Sequence, residues 1–163
     1  MRIADYIQDS IVDGPGLRFT LFTQGCPHKC PGCHNPGTHD AMGGREESTE
    51  SIIAALLGNP LTDGITLSGG EPFMQPEDCA VIAEAARKNG LNVWAYSGWT
   101  IEQLLADPRP AVRELLERVD VLIDGPFRQE ERSLELMWKG SRNQRMIDVR
   151  RTLDTGSVVL WEE

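Results

Sequence analysis

Three thiols fall within eight residues of this chain, Cys26, Cys30 and Cys33, in the stretch T-Q-G-C-P-H-K-C-P-G-C-H-N that occupies residues 23–35. Thiols so close in sequence can face one small object only if the backbone loops around it, and Pro27, Pro31 and Gly32 permit such a loop. A metal or a cluster is therefore implied. An iron–sulfur cube is usually anchored by four thiolates, so a group of three leaves one iron without a protein ligand. Catalytic zinc sites keep a position open in the same way. The loop alone also admits a closed zinc site with His28, His34 or His39 as fourth ligand, although C-x3-C-x2-C matches the paired zinc spacing only in its second half. A disulfide pair fits least well.

With 163 residues, the chain is expected to form one domain, 1–163, with a single core and no need of disulfides. The N-terminal residues lack the apolar core of a secretory signal, and the longest apolar runs fall far short of a membrane span. A cytoplasmic location without a membrane partner is expected, and there clustered thiols mean metal rather than disulfides. The net charge of -9 argues against nucleic acid, whose binders need basic surface. Basic residues do gather late, at Arg142, Arg145, Arg150 and Arg151. A solvated strand face accounts for them better than a docking patch for an acidic partner.

Residues 3–18 read as an irregular lead-in that includes the turn Asp13-Gly14-Pro15-Gly16. Strands are expected over residues 17–23, 64–68, 91–97 and 120–124, with helices between them. Ser48 or Thr49 caps the first helix and Gly58 ends it; Pro76 opens the second; Thr100 with Gln103 makes a capping box for the third. A helical stripe through Val112, Leu115, Leu116 and Val119 leads into the fourth strand. Cys79 lies on the second helix and reads as a small core residue. Residues 146–149 and 157–161 are expected to pair through the turn Asp154-Thr155-Gly156. This alternation makes an α/β fold of parallel β-α units, too short for a closed eight-stranded barrel, so an open, partial β/α barrel is expected. Its C-terminal edge would gather the Cys loop, residues 69–72, Tyr96-Ser97 and Asp124.

The three-Cys loop after a first strand, with Gly69-Gly70-Glu71-Pro72 about one β-α unit later, resembles the radical S-adenosylmethionine superfamily over nearly the whole chain. The resemblance implies that Cys26, Cys30 and Cys33 hold a 4Fe-4S cluster, with the amino and carboxylate groups of S-adenosylmethionine on the fourth iron. It places Gly69, Gly70 and Glu71 at the methionine amino group. Gly32, Cys33, His34 and Ser68 are further candidates for cofactor contact, and Ser97 and Asp124 for its adenosine or methionine end. Asp124 reads equally well as a strand-end turn residue. His34 stands where much of the superfamily carries an aromatic ring beside the adenine. Residues 13–18 and 33–36 resemble activating enzymes of glycyl-radical proteins. Asp124-Gly125-Pro126-Phe127 and the run W-K-G-S-R-N-Q-R over 138–145 resemble activators of anaerobic ribonucleoside-triphosphate reductase. The implied chemistry is reductive cleavage of S-adenosylmethionine to a 5′-deoxyadenosyl radical that takes a hydrogen from a glycine of the large reductase. A low-potential electron donor such as flavodoxin is implied as a second partner, and no side chain need act as acid or base. An activase of another glycyl-radical enzyme, a radical enzyme acting on a small molecule, and a non-catalytic zinc module remain open.

Overall fold

The computed structural model describes residues 1–162. Its elements run β1 (Arg2–Ser10), β2 (Arg18–Thr23), β3 (Arg45–Glu46), α1 (Thr49–Leu57), β4 (Gly64–Gly69), α2 (Pro76–Lys88), β5 (Asn92–Tyr96), α3 (Ile101–Ala106), α4 (Pro110–Arg118), β6 (Val121–Asp124), β7 (Arg145–Asp148) and α5 (Val149–Thr155). One seven-stranded sheet has the order β3-β1-β2-β4-β5-β6-β7. The parallel centre β2-β4-β5-β6 is made of the four strands expected from the sequence. Antiparallel pairs flank it on both sides. The two ends of the sheet do not pair, so the β/α barrel is open.

The helix boundaries follow local chemistry. Ser48 accepts the Ser51 N–H at the start of α1, and the Thr100/Gln103 capping box opens α3. Pro76 opens α2, with Glu77 and Asp78 in its first turn complementing the helix dipole.

The period of two along each strand separates two faces. Phe19, Leu21, Ile65, Leu67, Val93, Ala95 and Leu122 join one core with Ile52 and Leu56 of α1, Ile82 and Ala86 of α2, and Val112 and Leu115 of α4. Trp94, Val121 and Ile123 form a smaller cluster with Tyr96, Trp138, Met146 and Trp161. On that second side Arg18 is wholly buried. It donates to Thr66 Oγ1 (2.7 Å), the Ile65 carbonyl (2.8 Å) and the Pro15 carbonyl (3.0 Å), and its guanidinium lies 5.6 Å from the Trp94 ring centroid. Burial pulls its pKa down to about 10. The Asp13-Gly14-Pro15-Gly16 turn wraps this side chain: Gly14 has φ 140°, and a Cβ there would lie 2.8 Å from Arg18 Cδ.

Two expectations are corrected. The irregular lead-in is confined to residues 11–17, because residues 3–10 belong to β1, which pairs along β2 from Ile3↔Thr23 to Ser10↔Arg18. Residues 146–149 and 157–161 do meet, through Ile147↔Leu160, but no tight turn joins them. Asp148 accepts the Arg151 N–H and starts α5, which ends on left-handed Gly156 (φ 77°).

Candidate metal and cofactor site

The parallel strands all end on one edge, and the candidate residues lie in the loops that leave it. After β2 the chain turns through the Cys loop, whose base is fixed by Gly25 N–H to the Thr38 carbonyl (2.7 Å) and Cys26 N–H to the His39 carbonyl (3.2 Å). Lys29 (φ 48°) and Gly32 (φ 73°) take left-handed conformations that bend the loop back on itself. Cys26, Cys30 and Cys33 are all free, half-buried thiols, and all three line one cavity of about 560 Å³. Burial pushes the Cys26 thiol up from its ordinary range, while the nearby backbone of His28 and Lys29 pulls the other way. The Asn35 N–H donates to Cys33 Sγ (3.4 Å).

The turn after β4 is stitched to this loop by backbone. Gly70 N–H donates to the Thr23 carbonyl and Glu71 N–H to the Gly25 carbonyl, both at 2.8 Å. The approach is so close that a Cβ on Gly70 would run into the Gly25 carbonyl oxygen. Ser68, Gly69 and Gly70 line the cavity, as do His34 and Ser97. The Ser97 hydroxyl donates to Glu71 Oε1 (3.0 Å) and accepts the Trp99 N–H (3.1 Å).

Three candidates lie off this wall. Gly32 faces Gln129, with room for no Cβ beside that side chain. Glu71 is fully shielded, with its carboxylate inside the protein. Asp124 is buried at the end of β6, where it accepts the Ile101 N–H (2.9 Å) and pairs with Arg145 (2.6 Å). These contacts tie the end of β6 to the start of α3 and to β7.

Several further residues complete the wall without having been expected to touch the cofactor. Phe127 meets the His34 ring, with centroids 5.1 Å apart and planes at 52°. Phe22, Tyr96, Trp138 and Gln144 also line the cavity. The Gly125-Pro126-Phe127 motif marked Phe127 only through family likeness. The run at 138–145 is a folded wall: Gln144 takes the Gly140 N–H (2.8 Å) and donates to the Gly125 carbonyl (3.0 Å), and Asn143 donates to the Pro126 carbonyl (2.8 Å). Ser141 is fully buried.

Among the described residues no three His, Cys, Asp or Glu side chains converge closely enough to hold a single metal ion. A cube takes one thiolate at each of several separate irons, so its ligands must face one space without meeting at a point. The three thiols do so, and the Asn35 N–H bond to Cys33 Sγ suits a thiolate, so the donor set fits a 4Fe-4S cluster.

Comparison with known proteins agrees. The family described as a 4Fe-4S single cluster domain matches residues 12–147. The anaerobic ribonucleoside-triphosphate reductase-activating protein of Salmonella typhimurium is 36% identical over 152 residues, covering 88% of this chain and 96% of the relative. This chain belongs to that radical S-adenosylmethionine family. Its 4Fe-4S family relatives include the activating proteins of Escherichia coli K12, 34% identical over 88% of this chain and 96% of the relative, and of Enterobacteria phage T4, 34% identical over 83% and 86%. A general capacity to bind a 4Fe-4S cluster comes with membership of the family. Among the described residues no helix is long and apolar enough to cross a membrane.

Proposed function

We propose that this chain is a radical S-adenosylmethionine activating enzyme, one domain over residues 1–163, that generates a glycyl radical on a large anaerobic ribonucleoside-triphosphate reductase. The reductase as partner follows the activity for which these relatives are named, and they match most of the chain. The observation that carries the chemistry is the meeting of three half-buried thiols with the Gly69-Gly70 backbone on one cavity.

Cys26, Cys30 and Cys33 would hold the cluster and leave one iron for the amino and carboxylate groups of S-adenosylmethionine. A bound cluster would supply the single electron, drawn from a low-potential donor such as flavodoxin, for reductive cleavage of S-adenosylmethionine to methionine and a radical able to take a hydrogen from glycine. The chain's own residues position and shield. The glycine backbone lets the methionine end approach closely, with Ser68 beside it. His34 and Phe127 offer ring surface to a planar base. Phe22, Tyr96 and Trp138 keep water from the wall, and no side chain transfers a proton.

The test is anaerobic incubation of the reduced, reconstituted protein with S-adenosylmethionine and the reductase, followed by electron paramagnetic resonance. A glycyl radical should form with the parent and be lost in Cys26→Ala, Cys30→Ala and Cys33→Ala. An undiminished radical in any of the three would refute the ligand set. A radical on another glycyl-radical enzyme and none on the reductase would reassign the partner.

A further inference from the structure

Family resemblance puts Glu71 at the methionine amino group, yet its carboxylate already accepts four protein donors and is buried. Oε1 takes His28 Nε2 (2.7 Å), the Gly98 N–H (2.7 Å) and the Ser97 hydroxyl (3.0 Å), while Oε2 takes the Phe73 N–H (3.1 Å). A carboxylate offers about four acceptor sites. The side chain is 0% exposed, so no acceptor faces the cavity. Since an ionised carboxylate only accepts, the His28 nitrogen must be the donor.

His28 is the member of this group that belongs to the Cys loop, two residues after Cys26 and two before Cys30. Three neighbours fix its ring. Glu71 holds Nε2; Trp99 meets it edge-on, with centroids 4.7 Å apart; and Gly98 lies so close that a Cβ there would clash with the imidazole. The Glu71 N–H to the Gly25 carbonyl ties the same two segments through backbone. The Gly-Gly-Glu-Pro turn thus grips the Cys loop at its base and again between its first two thiols.

We propose that His28 and Glu71 form a positioning pair that holds the Cys26 to Cys30 segment in register for the cluster, and that Glu71 is not a ligand of the S-adenosylmethionine amino group. That group is left to the backbone of Gly69 and Gly70 and to Ser68, which do line the cavity. The inference rests on the reading that the three thiols hold a cluster. A residue that orients ligands from outside the coordination shell affects retention of the group more than the chemistry it supports.

The test compares the parent with His28→Ala, His28→Gln and Glu71→Gln after anaerobic reconstitution. It reads iron and sulfide per chain, the rate of cluster loss to a chelator, and S-adenosylmethionine affinity on the loaded protein. His28→Ala should lose the cluster about 10-fold faster, within the 10- to 100-fold range for groups that orient metal ligands. His28→Gln, whose amide can still donate, should recover most of that loss. Glu71→Gln sets an amide donor among four donors and should match His28→Ala, while binding S-adenosylmethionine as tightly as the parent once loaded. In the cluster-free proteins, Cys26 and Cys30 should be alkylated faster in His28→Ala than in the parent, with the buried Cys79 unchanged; this reading also tells a loosened loop from global unfolding. A loaded Glu71→Gln that no longer binds S-adenosylmethionine would make Glu71 its ligand and overturn the proposal. Parent-like chelator resistance in His28→Ala would also overturn it. Failure of the parent itself to take up iron and sulfide would refute the cluster reading beneath it instead.

Discussion

Cys79 lies on the buried face of α2 at 0% exposure, and burial drives its thiol far above the ordinary range, so it packs as a neutral side chain. Cys79→Ala should therefore keep the parent's iron and sulfide content while losing about 1 kcal/mol of stability to the small cavity. Loss of the cluster in that variant would revive a closed, four-ligand site. Arg145 is placed against expectation. Rather than a solvated or docking cation, it pairs with buried Asp124 and with Glu102. Arg145→Ala should cost about 2 kcal/mol, below the usual range for breaking a buried pair because the guanidinium side is a third exposed. The bond to Arg145 also lowers the Glu102 pKa. Stability from a depressed carboxylate is present above its unfolded pKa and lost as pH falls through the folded one. The gap between parent and Arg145→Ala in urea midpoints should accordingly narrow on the acid side. Arg142, exposed and outside these pairs, is the cleaner probe of docking.

Elements with their own apolar pattern were legible in the sequence. The four parallel strands are short segments rich in strand formers, alternating apolar with polar residues in β2 and β4, and α1 to α4 carried caps or stripes. β1 did not, because Asp5, Gln8, Asp9 and Ser10 interrupt its pattern and its pairing with β2 makes it a strand. α5 was hidden by β-branched residues and a turn-like Asp-Thr-Gly, although Asp148 and Gly156 are ordinary helix bounds. The Cys loop and the glycine turn were readable as separate motifs. The bond between His28 and Glu71 was not, since its partners lie 43 residues apart. The glycine turn gives a test at this level. Gly70→Ala should cost about 1–3 kcal/mol by overpacking against the Gly25 carbonyl and lower cluster uptake by prising the turn from the Cys loop. Unchanged stability and iron content would mean that the two loops are not rigidly coupled.

For the molecule as a whole, an open sheet leaves the cavity without a closed wall, and apolar side chains stand at its mouth. Ile7, Val12 and Leu134 line it and are exposed, Leu134 by 90%. A radical formed there would be shielded only when another surface covers the opening. The reduced protein alone should therefore cleave S-adenosylmethionine slowly, and a stable radical should appear only with the reductase present, measured as 5′-deoxyadenosine released against radical per chain. Fast cleavage without the reductase would favour a small-molecule substrate. Air should abolish activity and anaerobic iron and sulfide restore it, because an iron without a protein ligand is open to oxidants. Full activity in an iron-free, zinc-loaded sample would contradict this. The most direct measurement is electron paramagnetic resonance of the anaerobically reconstituted, reduced protein with and without S-adenosylmethionine. Three thiol ligands and one open iron require a 4Fe-4S signal whose shape changes when S-adenosylmethionine is added; a signal indifferent to it would mean that no iron is open.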